Sequence, residues 1–462
     1  MKLWQKDYTP NEKIEAFVVG KDYLLDQALV RFDCIGSIAH IRGLLDIGIL
    51  TTDEFSLLKK GLLEIIELDT EGRFVIQFSD EDVHTKIENH LTEKFGDVAK
   101  KIHTGRSRND QVLTAIRLYA KERFLAIEEK TASLSLSFLA FAEKYPMIPM
   151  PGRTHLQKAM PSSLGLWAGA FSESFLDNLI IMDAGYNLYD QSPLGSGASY
   201  GIPLPLNREL TAELLSFSKV QRNTLYANNS RGKFEASLLM GLLGVVLDIS
   251  KFSADLILFL LPEFSYFHLP DEFFLGSSIM PQKKNPSFLE ITRARSNTFI
   301  SLVFQVISII NSLPSGYNQD FQETKEPFIK GLDIGEELIE IARLIIENLK
   351  PDEEALRKAC TSEIFTQDKA IELVKGGALF RDAYKLVDSL SYKLLDADGK
   401  VKVAKEIDKI ETPEIESALK KRSHIGGPGN LQLTKLREEI LSKQREIAQR
   451  KKNWEKGLSN LK

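Results

Sequence analysis

Two serines, two lysines and an asparagine are crowded between Gly276 and Pro286, in the stretch Gly-Ser-Ser-Ile-Met-Pro-Gln-Lys-Lys-Asn-Pro. Its glycine and prolines predict an irregular loop. Asn285 followed by Pro286 predicts a helix N-cap and then proline at the first helical position. Lysine ammonium groups and a helix N-terminus both favour negative charge. The stretch therefore predicts a mobile loop that closes over an anion, and the alternative is a solvated basic loop.

A second polar stretch runs from His103 to Gln111 and reads His-Thr-Gly-Arg-Ser-Arg-Asn-Asp-Gln. A guanidinium can hold a carboxylate through two parallel hydrogen bonds. Arg106 and Arg108, beside Asn109, are therefore a candidate carboxylate clamp. A polar cap on an exposed helix start explains the same residues equally well, because a long run of helix-forming residues follows.

Two histidines have polar neighbours. His84 follows an acidic pair that opens a predicted helix, and such a histidine is more often a partly buried helix residue than a catalyst. His155 lies beside Thr154 in the predicted loop 152–161. Imidazole exchanges protons near neutral pH, but a lone loop histidine is more often a surface group. Residue type alone therefore leaves both roles open.

Composition and charge exclude several classes of protein. The chain has 462 residues, 43% of them hydrophobic and 27% charged, which is ordinary for a globular protein of more than one domain. A net charge of −5 removes the electrostatic attraction on which nucleic-acid binding relies. Cys34 and Cys360 show neither disulfide nor zinc spacing, so a reducing cytoplasm is expected. The stretch 1–7 has no apolar region that would indicate a secretory signal.

Two stretches are interpreted from their charges. The most apolar segment, Leu238 to Leu261, is interrupted by Asp248, Lys251 and Asp255. A membrane span needs about 20 mostly apolar residues, so this segment predicts a buried core helix instead. The lysine-rich final helix is interpreted as a solvated face.

Long runs without glycine or proline predict a helical protein. The longest, from Val112 to Tyr145, would form a helix of roughly 50 Å, and others are predicted at 161–189 and 286–313. Strand signals are almost absent. The sequence therefore predicts an all-α fold, an elongated bundle of long helices flanked by two smaller helical domains. The predicted boundaries are 1–105 for the N-terminal domain, 106–355 for the bundle with the oligomer contacts and site loops, and 356–462 for the C-terminal domain.

These motifs together resemble one known family. The loop 276–286 resembles the signature loop of the fumarase/aspartase superfamily, whose members release fumarate. The stretch 103–111 contains the Thr-Gly-Arg-Ser-Arg-Asn-Asp-Gln motif of argininosuccinate lyases without a change, and 154–157 resembles their Thr-His-Leu-Gln motif. The resemblance therefore points to the argininosuccinate lyase branch. Departures from its usual pattern are Arg153 for tyrosine, Met160 for glutamine, and Ser230, Gly232 and Thr324 for acidic residues.

The resemblance also implies residue roles. Ser277 would remove a proton next to a carboxylate, His155 would protonate the departing nitrogen, and Glu290 would keep the imidazole basic. Because proton loss leaves a carbanion beside an anionic group, fixed donors such as Lys283 must stabilise a dianion. The reverse assignment of acid and base is equally permitted. The implied substrate-binding residues are Ser107, Arg108, Asn109, Thr154, Arg231, Asn285, Tyr317, Gln322 and Lys325.

The implied activity is cleavage of argininosuccinate to arginine and fumarate, with no metal or other cofactor. Alternatives are adenylosuccinate lyase or another fumarate-releasing member of the superfamily, or a non-catalytic crystallin-like oligomer. The presence of Ser277, His155 and Lys283 favours an enzyme. The resemblance further implies a homotetramer in which three chains contribute to each site, since residues at opposite ends of a roughly 50 Å helix cannot meet within one chain.

Overall fold

The computed structural model describes residues 11–392 and 414–461 of the chain. Within these ranges the fold is all-α, as the sequence predicts. The stretch 1–7, on which the expectation of no secretory signal depends, lies outside them. The helices are α1 (Glu12–Val19), α2 (Asp22–Asp26), α3 (Val30–Asp46), α4 (Thr52–Thr70), α5 (Val83–Phe95), α6 (Asp97–Lys100), α7 (Arg108–Lys144), α8 (Leu164–Tyr189), α9 (Arg208–Leu214), α10 (Thr224–Asn229), α11 (Lys233–Phe259), α12 (Ser287–Ile310), α13 (Lys325–Asn348), α14 (Glu353–Ala359), α15 (Thr366–Lys375), α16 (Phe380–Tyr392), α17 (Ile415–Lys421) and α18 (Leu433–Leu461). The strands are β1 (Pro149–Thr154), β2 (Gln157–Ser163), β3 (Gln191–Ser192), β4 (Lys219–Val220), β5 (Phe267–His268) and β6 (Lys350–Pro351).

Five long helices, α7, α8, α11, α12 and α13, form the central bundle. α7 packs against α8 and α13, and α11 packs against α8, α12 and α13. α7 has 37 residues and is therefore about 55 Å long. It begins with a capping box in which the Ser107 side chain accepts from the backbone N–H of Asn109 and the Asp110 side chain accepts from the backbone N–H of Ser107. This cap fixes where the polar stretch 103–111 meets the bundle.

Aromatic side chains fill one end of the bundle core. The ring of Phe138 on α7 lies 5.4 Å from the rings of both Phe171 and Phe175 on α8, and 4.8 Å from that of Phe252 on α11. All four side chains are buried. Such packing removes large apolar areas from water and adds ring–ring attraction. The three helices are thereby held in fixed positions relative to one another.

The two aspartates within the apolar segment 238–261 face α8, whereas Lys251 is exposed to solvent. Asp248 accepts hydrogen bonds from Ser174 (2.6 Å) and Asn178 (2.7 Å), and Asp255 accepts one from Trp167 (2.9 Å). The segment lies in α11, a core helix as predicted. Within the described ranges, no helix combines the length and apolar character that crossing a membrane requires.

The start of α12 differs from the prediction. Asn285 is not the N-cap; Pro286 occupies that position, without a side-chain cap. Asn285 instead forms a backbone bridge with Leu275, donating to its carbonyl at 2.9 Å and accepting from its N–H at 3.1 Å. This bridge closes the base of the loop, so the asparagine backbone remains extended one residue longer than the sequence suggests.

The stretch 152–161, predicted as a loop, lies in a β-hairpin. β1 and β2 are antiparallel, with Arg153 opposite Lys158 and Thr154 opposite Gln157. The loop prediction was wrong because several prolines mask the strand signal, although proline is tolerated in edge strands. His155 and Leu156 form the two-residue turn at the tip.

The final helix, α18, also differs from the interpretation of its charges as a solvated face. It packs along α7 and buries Trp454 and Ile447. Lys443 and Arg450 form ion pairs with Asp183 of α8, and Arg450 also donates a hydrogen bond to the fully buried Glu128 of α7 at 2.9 Å. Part of its charge therefore holds the C-terminal helix to the bundle.

Candidate active site

A polar cleft of about 180 Å³ forms where the starts of α5 and α7 meet the segment 317–322. It borders a cavity of about 620 Å³, and the two share residues of 18–22 and 319–322. Five residues implied by the resemblance line the cleft: Arg108, Asn109, Arg231, Tyr317 and Gln322. The other lining residues are Val18, Val19, Asp22, Glu81, Asp82, His84, Val112 and Gln319.

The two arginines of the predicted clamp have different environments. Arg108 lines the cleft, and its guanidinium donates to Asp82 (3.0 Å), Glu81 (3.3 Å) and Thr85 (3.3 Å). Arg106 is buried and donates to Ser37 at 2.8 Å, outside the cleft lining. The prediction of a two-arginine clamp was therefore wrong for Arg106.

His84 lines the cleft with a carboxylate behind it. Its Nδ1 lies 2.5 Å from Oδ2 of Asp33, which is fully buried and also accepts from Gln111 at 2.9 Å. Burial acts to lower the pKa of His84, but the charge of Asp33 and their hydrogen bond outweigh it and raise the pKa above its usual value. The pair places a histidine with enhanced proton affinity beside Arg108 and Asn109.

Tyr317 and Gln322 form the opposite wall. Gln322 donates to the backbone carbonyl of Val18 at 2.9 Å, and the Tyr317 hydroxyl donates to Gln319 at 3.1 Å. The guanidinium of Arg231 lies 5.8 Å from the centre of the Tyr317 ring. Arg231 is buried, and its Nε has no hydrogen-bond partner. Unfilled donor capacity on a buried cation makes this wall suited to an anionic ligand.

Lys325 lies behind the cleft and outside its lining. Its ammonium contacts Asp26 at 2.5 Å and Asp22 at 2.7 Å. Burial acts to lower the pKa of Lys325, but the two carboxylates raise it above its usual value. Burial raises the pKa of Asp22, which faces the cleft, against the attraction of Lys325. Lys325 is therefore a fixed cation that holds the N-terminal acidic residues in place.

The loop 276–286 lies at the start of α12. Oγ of Ser277 accepts from the N–H groups of Met280 (3.2 Å) and Ile279 (3.4 Å). Lys283 is exposed, whereas Asn285 is half-buried and its side chain donates to the Gly276 carbonyl at 3.5 Å. Glu290, in the first turn of α12, is exposed.

The hairpin tip is also exposed, at Thr154 and at His155. Neither residue lines the cleft, nor do Ser277, Lys283 and Glu290. Ser107 caps α7 beside the cleft without lining it. The described chain thus brings together the residues of the cleft, while the hairpin tip and the loop 276–286 are presented on the surface.

Sequence reasoning missed the acidic residues that line the cleft and Asp26, which lies behind it. Asp22 and Asp26 are four residues apart, which places both on one helix face, and this spacing could have indicated a shared cation. Glu81 and Asp82 also line the cleft, although their position in the sequence indicates only an acidic helix start. No group of three or more His, Cys, Asp or Glu side chains suited to a metal ion occurs in the described ranges.

Comparison with known proteins identifies the class. A family model described as a lyase matches residues 14–299, more than half of the chain, so the chain belongs to a family of lyases. The solved structure of an EDDS lyase in complex with formate superposes with a TM-score of 0.81 at 22% identity, covering 98% of this chain and 94% of that one. A fumarate lyase:delta crystallin from Brucella melitensis bound to cobalt superposes with a TM-score of 0.69 at 18% identity, covering 90% and 91%. These two structures show the likeness of fold.

Closer relatives identify the family. The argininosuccinate lyase of Thermotoga neapolitana is 42% identical over 386 residues, which cover 84% of this chain and 97% of that protein. The argininosuccinate lyase of Sorangium cellulosum is 38% identical over 439 residues, covering 94% and 97%. The chain belongs to the argininosuccinate lyase family.

Proposed function

We propose that the protein cleaves argininosuccinate to L-arginine and fumarate, a step of arginine biosynthesis. The observation that carries the proposal is the cleft itself, in which Arg108, Asn109, Arg231, Tyr317 and Gln322 meet in a chain of this family. Argininosuccinate is polyanionic at its succinate end, and guanidinium and amide groups are suited to binding carboxylates. The cleft and the larger cavity beside it together provide room for a ligand of this size.

Ser277 removes the proton in the proposed reaction. An alkoxide is a strong base that neutral water does not supply, so its charge must be stabilised by fixed donors. The N–H groups of Met280 and Ile279 point to Oγ of Ser277 and support this role. Lys283 and Asn285, on the same loop, then hold the carboxylate whose charge increases as the carbanion forms.

His155 protonates the departing nitrogen of the arginine half, and Glu290 keeps the imidazole basic through a charge pair. The reverse assignment, with His155 as base and Ser277 as acid, remains the alternative. Thr154, beside His155 at the hairpin tip, and Ser107, at the start of α7, complete the set of proposed substrate contacts. Lys325, which the resemblance also implies, is enclosed by Asp22 and Asp26 outside the cleft lining and is not proposed as a contact. No metal or other cofactor takes part in the proposal.

The sites are proposed to assemble between the subunits of a homotetramer. The hairpin tip and the loop 276–286 lie outside the cleft lining, which supports their acting in sites of neighbouring chains. Large exposed apolar side chains on the bundle helices support burial between subunits. They include Ile180, Ile181, Met240, Leu247, Ile291 and Phe304, of which Phe304 is 61% exposed.

We also propose that the chain is divided into three domains, 1–105, 106–355 and 356–462. Residues 364–387 form small apolar clusters of their own, one of them with Ala418, which supports a separate C-terminal unit, whereas α18 packs against α7 and joins the core of the bundle. The two cysteines form no disulfide, which supports a reducing compartment, and we propose the cytoplasm.

An assay of fumarate release tests the proposal. Ultraviolet absorbance is followed with argininosuccinate and adenylosuccinate in parallel, and turnover is expected with argininosuccinate alone. Ser277→Ala serves as the matched control, because the methyl group occupies similar space and cannot exchange a proton. Turnover of adenylosuccinate alone would contradict the proposed substrate, and near-normal turnover by Ser277→Ala would contradict the serine assignment.

A further inference from the structure

The turn that presents His155 has a backbone conformation that its residues disfavour. The φ angle is 53° at His155 and 63° at Leu156. Two-residue hairpin turns with two positive φ angles are of type I′, which favours Asn-Gly because side chains with a Cβ disfavour the left-handed region. Leu156 is 72% exposed, so packing within the chain does not hold it there. Another contact must stabilise the turn.

Arg153 supplies that contact. One arm of its guanidinium donates to the backbone carbonyl of Leu156 at 2.9 Å, and the other donates to the hydroxyl of Tyr266 at 3.1 Å. The same group lies 4.8 Å from the centre of the Phe264 ring. Because the guanidinium is planar and its donors are rigidly spaced, the two bonds fix the carbonyl at the tip relative to the segment after α11.

A second polar anchor of the hairpin lies on β2, away from the two turn residues. Lys158 donates to Thr361 at 2.7 Å and to Glu363 at 3.3 Å. That contact fixes β2 to the segment before α15 and does not reach the turn. In the described part of the chain, Arg153 makes the only side-chain hydrogen bond to the backbone of the two turn residues.

We propose that Arg153 is a positioning residue, which holds the strained turn so that the His155 imidazole has a fixed orientation in the assembled site. The inference rests on the proposed function, because it requires His155 to exchange a proton with the substrate. Arg153 itself touches neither substrate nor reacting atoms. Its loss should therefore affect the proton-transfer step more than substrate binding.

Steady-state kinetics of Arg153→Ala test the proposal. We expect kcat to fall at least tenfold while KM changes by no more than about threefold. Arg153→Lys should be intermediate, since an ammonium can reach the Leu156 carbonyl but cannot reproduce the rigid fork. The control is Arg73→Ala, which removes an exposed ion pair with Glu71 and should leave both constants unchanged. An unchanged kcat in Arg153→Ala overturns the proposal.

A second substitution separates orientation from general stability. Glycine adopts positive φ without a steric cost, so Leu156→Gly should raise kcat at least threefold in the Arg153→Ala background and change it little in the wild type. Absence of that recovery overturns the positioning role, even where Arg153→Ala alone is impaired. If Arg153→Ala does not assemble, Tyr266→Phe replaces it: kcat is expected to fall while KM stays, and an unchanged kcat overturns the proposal.

His155→Asn, assayed alongside, distinguishes failure of this inference from failure of the proposed function. Near wild-type turnover by His155→Asn would remove the proposed role of the histidine. An inactive His155→Asn together with a fully active Arg153→Ala would overturn the positioning role alone.

Discussion

Mixing two inactive variants tests whether each site takes residues from different subunits. His155→Asn removes the imidazole of the hairpin tip, and Ser277→Ala removes the hydroxyl of the loop. Both segments lie outside the lining of the cleft in the described chain. Each variant alone is expected to be inactive. When the two are unfolded together and refolded, we expect activity to return, because some sites then receive the intact residue from each parent.

The recovered activity follows from the proposed assembly. If a site takes His155 from one chain and Ser277 from another, each is intact in half the cases in an equal mixture, so about a quarter of the sites are complete. The yield should fall on either side of equal mixing. If one chain supplied both residues, no site would be complete at any ratio.

The assay is fumarate release, scaled to wild-type protein refolded in the same way. Each variant refolded alone sets the baseline, and subunits carrying different tags show whether mixed oligomers form. Mixed oligomers that are as inactive as either parent would refute the shared-site reasoning.

Three further predictions concern single residues. Lys283→Met should lower kcat about a hundredfold and raise KM, because one charge-stabilising donor is lost; an unchanged kcat would leave Lys283 a surface residue. Gln322→Ala should raise KM for argininosuccinate about tenfold or more, because an amide that lines the cleft is lost as a hydrogen-bonding group for the substrate; unchanged kinetics would contradict its place in the site. Burial outweighs the attraction of Arg450 and raises the pKa of Glu128 to about 8. A carboxyl whose pKa is higher in the folded state loses stabilisation as pH rises to about 8, so Glu128→Gln should weaken the fall in denaturant resistance between pH 5 and 8.5; identical pH profiles would contradict this.

The sequence predicted the helical fold well because its signal is local. Helix-forming residues without glycine or proline predicted 112–145, and the capping box at Ser107 extended the helix only a few residues further. The hairpin at 149–163 escaped prediction because its strands contain prolines and its turn lacks the usual Asn-Gly. Pairing between strands depends on contacts that a single stretch does not reveal.

Prediction of the cleft depended on motif resemblance and not on local pattern. Arg106 and Arg108 are two residues apart and of the same type, yet one is buried against Ser37 and the other faces the cleft. The direction of the backbone at the start of α7 decides which arginine faces the cleft. The amino-acid composition does not reveal that direction. Asp22 was missed for a similar reason, since its partner Lys325 is 303 residues away in the sequence.

The partners of each cation in and behind the cleft indicate which cation would bind a dicarboxylate most strongly. Arg108 already donates to Asp82 and Glu81. Lys325 is likewise held between Asp22 and Asp26. A ligand can therefore bind either cation only by competing with carboxylates of the chain. Arg231 is different, because it is buried and its Nε lacks a hydrogen-bond partner. A buried cation with unused donors gains most from an incoming anion, since desolvation has already occurred in the folded chain. Anion affinity in the cleft should therefore depend on Arg231 more than on Arg108, although the sequence motif gives Arg108 the greater prominence.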